Sequence, residues 1–238
     1  GKLTLLLEEI KALPDDATEE DLNAMAEELD SLKTAAKEEE QKYTEVYSSL
    51  LAAIKDEGTA KENAEKAIKD IVVPSVKEEY DKKINAITAS SYTTEELQGF
   101  YNNQEEAKKA LDTVNANIKA YNDIAETAAQ ADEDAQAAQA SAKTSLLESI
   151  DAAKADAEAA KATVEGYMIY DGKGDDVDAI GKAITAYDGL KTDVETAAND
   201  LKLTEEKQAE IESSINEQKK DVNDAKERAE AEAKKAAK

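Results

Sequence analysis

The chain has 238 residues, with 55 acidic against 30 basic side chains and a formal net charge of −25. It contains neither Cys nor His, which removes disulfides, thiol nucleophiles, thiolate metal sites, the usual general base and the commonest transition-metal ligand. So much acid works against binding nucleic acid, which depends on neutralising phosphates with Lys and Arg, and against an anionic membrane surface.

Aromatics make up only 4% and Trp is absent, so Ala, Leu, Ile and Val must build the core. Ala buries little area, which favours thin, closely approaching helices over a thick globular core. No run of about 18 apolar residues is present, so the sequence offers nothing to span a membrane.

Along the chain, Leu3–Ala12 reads as a short apolar helix stopped ahead of Pro14. Thr18 begins a capping box with Asp21. The helix that follows is expected to run to Glu57, with Gly58 as its terminating glycine. Its apolar positions repeat in sevens: Leu22, Leu29, Ala36, Tyr43 and Leu50 in one row, Met25, Leu32, Glu39, Val46 and Ala53 in the other. A third segment over 60–89 carries Ala64, Ala67, Ile71, Tyr80, Ile84 and Ile87, with Pro74 expected to kink or split it.

Thr93 and Glu96 form a second capping box ahead of another heptad stretch. Neither Pro nor a further Gly interrupts the chain from Phe100 until Gly166. Between Gln130 and Lys143 the apolar stripe is Ala alone, and it resumes in a shifted frame at Leu146 and Ile150. That shift reads as a stutter within one helix, with a short loop at 131–134 as the alternative. Gly166–Gly174 is a turn, a helix over 176–201 follows, and Thr204 caps the last helix, whose stripe fades towards Lys238.

These lengths predict an all-α protein, an elongated antiparallel helical bundle. Two three-helix bundles, residues 1–130 and 131–238, share a long central helix over 94–166, with coiled-coil-like packing. The sharing resembles spectrin repeats in architecture, which by itself carries no function.

A second resemblance is local. Residues 43–54, Tyr-Thr-Glu-Val-Tyr-Ser-Ser-Leu-Leu-Ala-Ala-Ile, resemble the Tyr-Thr…Trp-x-x-Leu-x-x-Ala-Leu signature of FIVAR-type helical modules, with Tyr47 in place of the Trp. The resemblance implies a bacterial secreted or cell-surface setting and a turn soon after the Leu-Ala stretch, where Gly58 stands.

Candidate sites are few. Asp171, Asp175 and Asp178 around Gly172-Lys173-Gly174 could offer oxygen ligands to Ca²⁺, but the spacing is not that of an EF-hand. The competing reading, which we favour, is a hairpin whose Asp175, Asp176 and Asp178 complement the positive N-terminus of the next helix. Tyr167, Met168, Ile169 and Tyr170 form an apolar cluster at the same turn, either a partner-binding patch or a plug for the second bundle. Glu39 interrupts an apolar row and reads as a register-setting residue.

No catalytic residue, cofactor site or metal site is assigned. The sequence therefore reads as a non-enzymatic spacer, scaffold or adhesion-type module of a bacterial secreted or surface protein. Its expected partners are another protein or a surface glycan. The alternatives are a self-associating coiled-coil protein, with the thin-striped last helix seeking a partner, and a weak calcium-dependent binder.

Overall fold

A computed structural model describes residues 2–14 and 17–238. Among the described residues the chain is all-α, with seven helices and no strand: α1 (Lys2–Lys11), α2 (Glu19–Asp70), α3 (Pro74–Asn85), α4 (Thr94–Asn102), α5 (Gln104–Glu165), α6 (Lys173–Asn199) and α7 (Glu205–Ala236).

The expected capping boxes start their helices. Asp21 N donates to Thr18 Oγ1 while Thr18 N donates back to the Asp21 carboxylate. At α4 the reciprocal pair is Glu96 N to Thr93 Oγ1 at 3.2 Å and Thr93 N to Glu96 Oε2 at 2.7 Å. Lys207 N donates to Thr204 Oγ1 at the start of α7.

Several boundaries differ from the sequence reading. Gly58 does not end a helix, and α2 runs on for 52 residues to Asp70. A glycine inside a helix costs about 1 kcal/mol relative to Ala. Burial of Ala53, Ala60, Ala64 and Ile68 on either side of Gly58 outweighs that cost. Pro74 splits the 60–89 segment, as one of the two expectations had it, and does so by beginning a helix rather than by kinking one. It occupies the first helical position of α3, where its missing N–H leaves no bond unmade, and Lys77 N donates to Val73 O to close the first turn. Another difference is at Asn103, whose extended backbone (φ −134°, ψ 93°) separates α4 from α5. Its Oδ1 accepts from Glu106 N at 3.3 Å, so it caps α5.

The Ala-only stretch at 130–143 is helical throughout, and α5 passes through it for a total of 62 residues. The alternative of a loop at 131–134 is thereby excluded. α6 begins three residues earlier than expected and ends at Asn199 rather than Leu201. Leu201 takes the left-handed conformation (φ 54°), and Lys202 N reaches Ala197 O while Leu201 N reaches Ala198 O. This is a Schellman ending with Leu where Gly is usual.

The chain divides into two compact units. The first comprises the chain up to Lys66 with Ile84–Ala125. Within it α2 and α5 run parallel, since Glu57 meets Asn117 and Leu50 clusters with Ala110 and Val114. The second comprises Ala67–Lys83 with Glu126–Lys238. Residues 67–83, which the sequence reading puts with the first bundle, pack here. α5 and α6 are antiparallel, joined by Lys154–Asp188 at 2.6 Å and Lys191–Asp151 at 3.2 Å. The core of this unit is rich in small side chains: Ala153, Ala157, Ala160 and Ala183 interleave with Ile150, Ile180, Tyr187, Ile211 and Ile215. α7 contributes Ile211, Ile215, Val222, Ala225 and Ala229 to that core, so it is partnered within the chain rather than left seeking a partner.

Candidate functional site

The buried polar chemistry of the described residues lies where helices stop and turn. Four polar or charged side chains are buried: Glu57, Asp132, Gln139 and Asp176. Burying such groups is costly unless each finds partners. Glu57 Oε1 accepts from Ser90 N at 3.0 Å and from Asn117 Nδ2 at 2.7 Å, and that amide also donates to Thr88 O. The connection between α3 and α4 is thus held against α2 and α5. Asp132 accepts from the amides of Val72 and Val73, the two residues ahead of Pro74. Gln139 bridges the turn between α6 and α7, donating to Leu201 O and accepting from Leu203 N.

The fourth, Asp176, organises the turn between α5 and α6. Gly172 opens α6 from a left-handed conformation (φ 85°) that glycine adopts without penalty. Lys173 Nζ reaches back to Glu165 O at 2.8 Å and Tyr167 O at 2.6 Å, satisfying carbonyls at the end of α5. Asp176 Oδ2 accepts from the Tyr170 hydroxyl at 3.0 Å, and its Oδ1 pairs with Arg228 Nε of α7 at 3.1 Å. Burial of the Tyr170 phenol, and secondly its bond to the Asp176 carboxylate, push its pKa up to about 12.

This geometry divides the apolar cluster singled out in the sequence. Tyr170 is buried and Tyr167 packs against the core of the second unit, whereas Met168 is 61% and Ile169 90% exposed. Two adjacent side chains are too small a surface to stand out as an interaction patch. Of the acidic candidates, Asp175 and Asp178 line a cleft of about 390 Å³ with Asp221 and Asp224 of α7, beside Lys182 and Arg228. Asp171 does not line it. Among the described residues no group of three or more carboxylates is placed to hold a metal ion. The sequence reading named Asp176 only as one of three acids at the start of α6, and did not single it out as the member of this run with the built environment. Its signal was its position in the first turn of α6, shared with its neighbours.

Two further concavities involve residues on the apolar rows. One, of about 370 Å³, lies along Ala153, Ala157, Ala160 and Val222 and includes Tyr187. The Tyr187 hydroxyl is buried without a hydrogen-bond partner among the described residues, and desolvation raises its pKa. The other, of about 500 Å³, is lined by Ala36, Glu39, Glu40 and Tyr43 of α2 with Tyr101 and Asn102 of α4. Tyr101 stacks edge-on against Tyr47, with ring centroids 5.4 Å apart. Glu39 stands at the rim of this hollow, exposed and 3.7 Å from Lys42.

No protein-family model, curated protein or solved structure matches this chain. Among the described residues no helix is long and apolar enough to cross a membrane.

Proposed function

We propose that the chain is a non-enzymatic helical spacer or scaffold, of the adhesion-module kind, in a bacterial secreted or cell-surface protein. The observation that carries this reading is the use made of the buried polar side chains. Glu57, Asp132 and Gln139 each hold a backbone connection between helices, and Asp176 ties α7 to the turn before α6. Chemistry that an enzyme would aim into a cavity is here spent on fixing where helices turn. The unbroken hydrogen bonding of α5 through its Ala-only stretch supports the spacer role, because a spacer must not yield at its weakest stripe. The bacterial surface setting rests on the resemblance of residues 43–54 to FIVAR-type modules. That segment lies wholly within α2, and the turn the resemblance implies is not at Gly58.

Two measurements test the reading. Limited proteolysis is expected to spare residues 126–143, and rapid cleavage there would remove the spacer role. An antibody to the chain is expected to label intact cells of the source organism, and labelling only after lysis would remove the surface setting.

A further inference from the structure

Among the described residues one buried side-chain polar atom lacks a hydrogen-bond partner, the Tyr187 hydroxyl. Tyr187 stands on α6 and is fully buried, so its ring crosses the core of the second unit. The cleft of about 370 Å³ that it lines is otherwise walled by α5 and α7. The far end of the side chain therefore reaches the cleft, because the near end is anchored on another helix. After desolvation, the charges that raise its pKa are those of Asp156 on α5 and Asp221 on α7, which sets the hydroxyl between those two helices. A buried donor without an acceptor is costly, and the cleft that opens on it has room for one.

The cleft is a groove because of what α5 presents to it. Ala153, Ala157 and Ala160 share one face of α5 and meet Val222 of α7, and side chains this small leave a gap between the helices. Its rim is polar and carries both signs. Asp156 stands on α5, and Lys219, Asn223 and Lys226 stand at i, i+4 and i+7 on one face of α7. The two lysines lie about 10 Å apart along α7 at 1.5 Å per residue. Asp221 falls between them, so the phenol opens near the middle of the groove. A volume of about 370 Å³ holds on the order of ten waters, more than one solvent molecule satisfying one hydroxyl requires. It matches the small end of ligand sites, with room for a single ring.

The lining decides the chemistry of the ligand. Asp156 and Asp221 oppose a negative charge beside the phenol, and Lys219 and Lys226 oppose a positive charge at the rim. A neutral molecule meets neither penalty. The lysines and the Asn223 amide offer donors, Asp156 and the Asn223 carbonyl offer acceptors, and the phenol is both. Hydroxyl groups, each one donor and two acceptors, answer all of these at once. The C–H face between them rests on the Ala and Val floor. We propose that the groove between α5 and α7 binds a small neutral polyhydroxy compound, about one six-membered ring in size, with one of its hydroxyls hydrogen-bonded to Tyr187. This inference does not rest on the spacer reading. A ligand of about a dozen heavy atoms in an open groove binds weakly, with a dissociation constant on the order of 1 mM.

The test is saturation-transfer NMR of the full chain with myo-inositol, D-glucose and xylitol, each from about 0.1 to 10 mM, a range that brackets such an affinity. Transfer to at least one of the three is expected. Tyr187→Phe keeps the ring and removes only the hydroxyl, so it should weaken binding at least about tenfold with the circular dichroism unchanged. Ala159→Gln, at an exposed position on the lip of the groove, should block entry without touching the core. Asp134→Ala, exposed on α5 and outside the groove, should leave transfer as it was. In protein labelled at the tyrosine Cζ, the one resonance that Tyr187→Phe removes should be the one that moves most on titration. No transfer to any of the three, transfer that survives Tyr187→Phe, or transfer to acetate or methylammonium in place of the polyols overturns the proposal.

Discussion

Replacing Asp132 by Ala tests the idea that buried acids fix the helix breaks. Asp132 Oδ1 accepts from Val73 N at 2.8 Å, and Val73 is fully buried. A bond from a buried amide to a charged acceptor is worth about 1.5–3 kcal/mol, and water cannot replace it here. Val72 N lies 3.2 and 3.3 Å from the two carboxylate oxygens, but Val72 is itself exposed, so its loss costs about 0.5–1 kcal/mol. The bond from Gln136 Nε2, at 2.9 Å and part-buried, adds about 0.5 kcal/mol. The carboxylate also faces the positive end of α3. Together these give about 3–4 kcal/mol for Asp132→Ala, and about half that for Asp132→Asn, which keeps one acceptor oxygen. Because the chain comprises two units, a single global unfolding free energy is not well defined. Native-state hydrogen exchange at the Val73 amide is the suitable assay. About 3 kcal/mol corresponds to somewhat more than a hundredfold loss of protection. Asp134→Ala, an exposed neighbour, serves as the control and should leave Val73 unchanged. If Asp132→Ala changes Val73 protection by less than about twofold, the clamp argument is refuted.

Other outcomes follow from the same geometry. Gly58 and Gly189 lie inside helices, and an added Cβ meets nothing within 4 Å at either position. Gly58→Ala and Gly189→Ala should therefore each raise stability by about 0.5–1 kcal/mol in thermal melts, and a fall in either would show a close approach the structure lacks. Tyr187→Phe removes a buried hydroxyl that has no partner among the described residues, so it should be neutral or stabilising. A loss of more than about 1 kcal/mol would mean the hydroxyl is engaged. The Tyr170 phenol, raised to about 12 when folded, contributes stability that is complete below about pH 10 and is lost between about pH 10 and 12, because the unfolded phenol ionises first. A phenolate-absorbance titration of the protein against Tyr170→Phe should show the missing group titrating above the ordinary tyrosine range. A difference centred at pH 10 would contradict the buried bond to Asp176.

Much of the fold was legible because it is written in local rules. The heptad rows of α2 and α5, the capping pairs Thr18–Asp21 and Thr93–Glu96, and the turn at 166–174 each depend on residues a few positions apart. The sites were less legible, for two reasons. Asp176 was one acid in a run of acids, and only packing shows that Tyr170 and Arg228, 52 residues further on, converge on it. Glu57 looked like the last residue of a helix before glycine, whereas its carboxylate faces Ser90 and Asn117. A side chain's neighbours in sequence carry no record of a partner 60 residues away.

The sequence by itself determined that this chain is helical, which faces of its helices are apolar, and where most helices begin. Those are consequences of period, charge and capping, all short-range. The tertiary structure decided the rest. Gly58 is carried through because burial on both sides outweighs its propensity, and Pro74 starts a helix because Asp132, 58 residues later, holds the two amides before it. Residues 67–83 join the second unit. The rows of sevens continue unchanged from Leu22 to Ala53, yet Leu50 and Ala53 are core and Leu22 lies half in solvent. Periodicity marks a surface for burial, but only the placement of other helices decides whether it is covered.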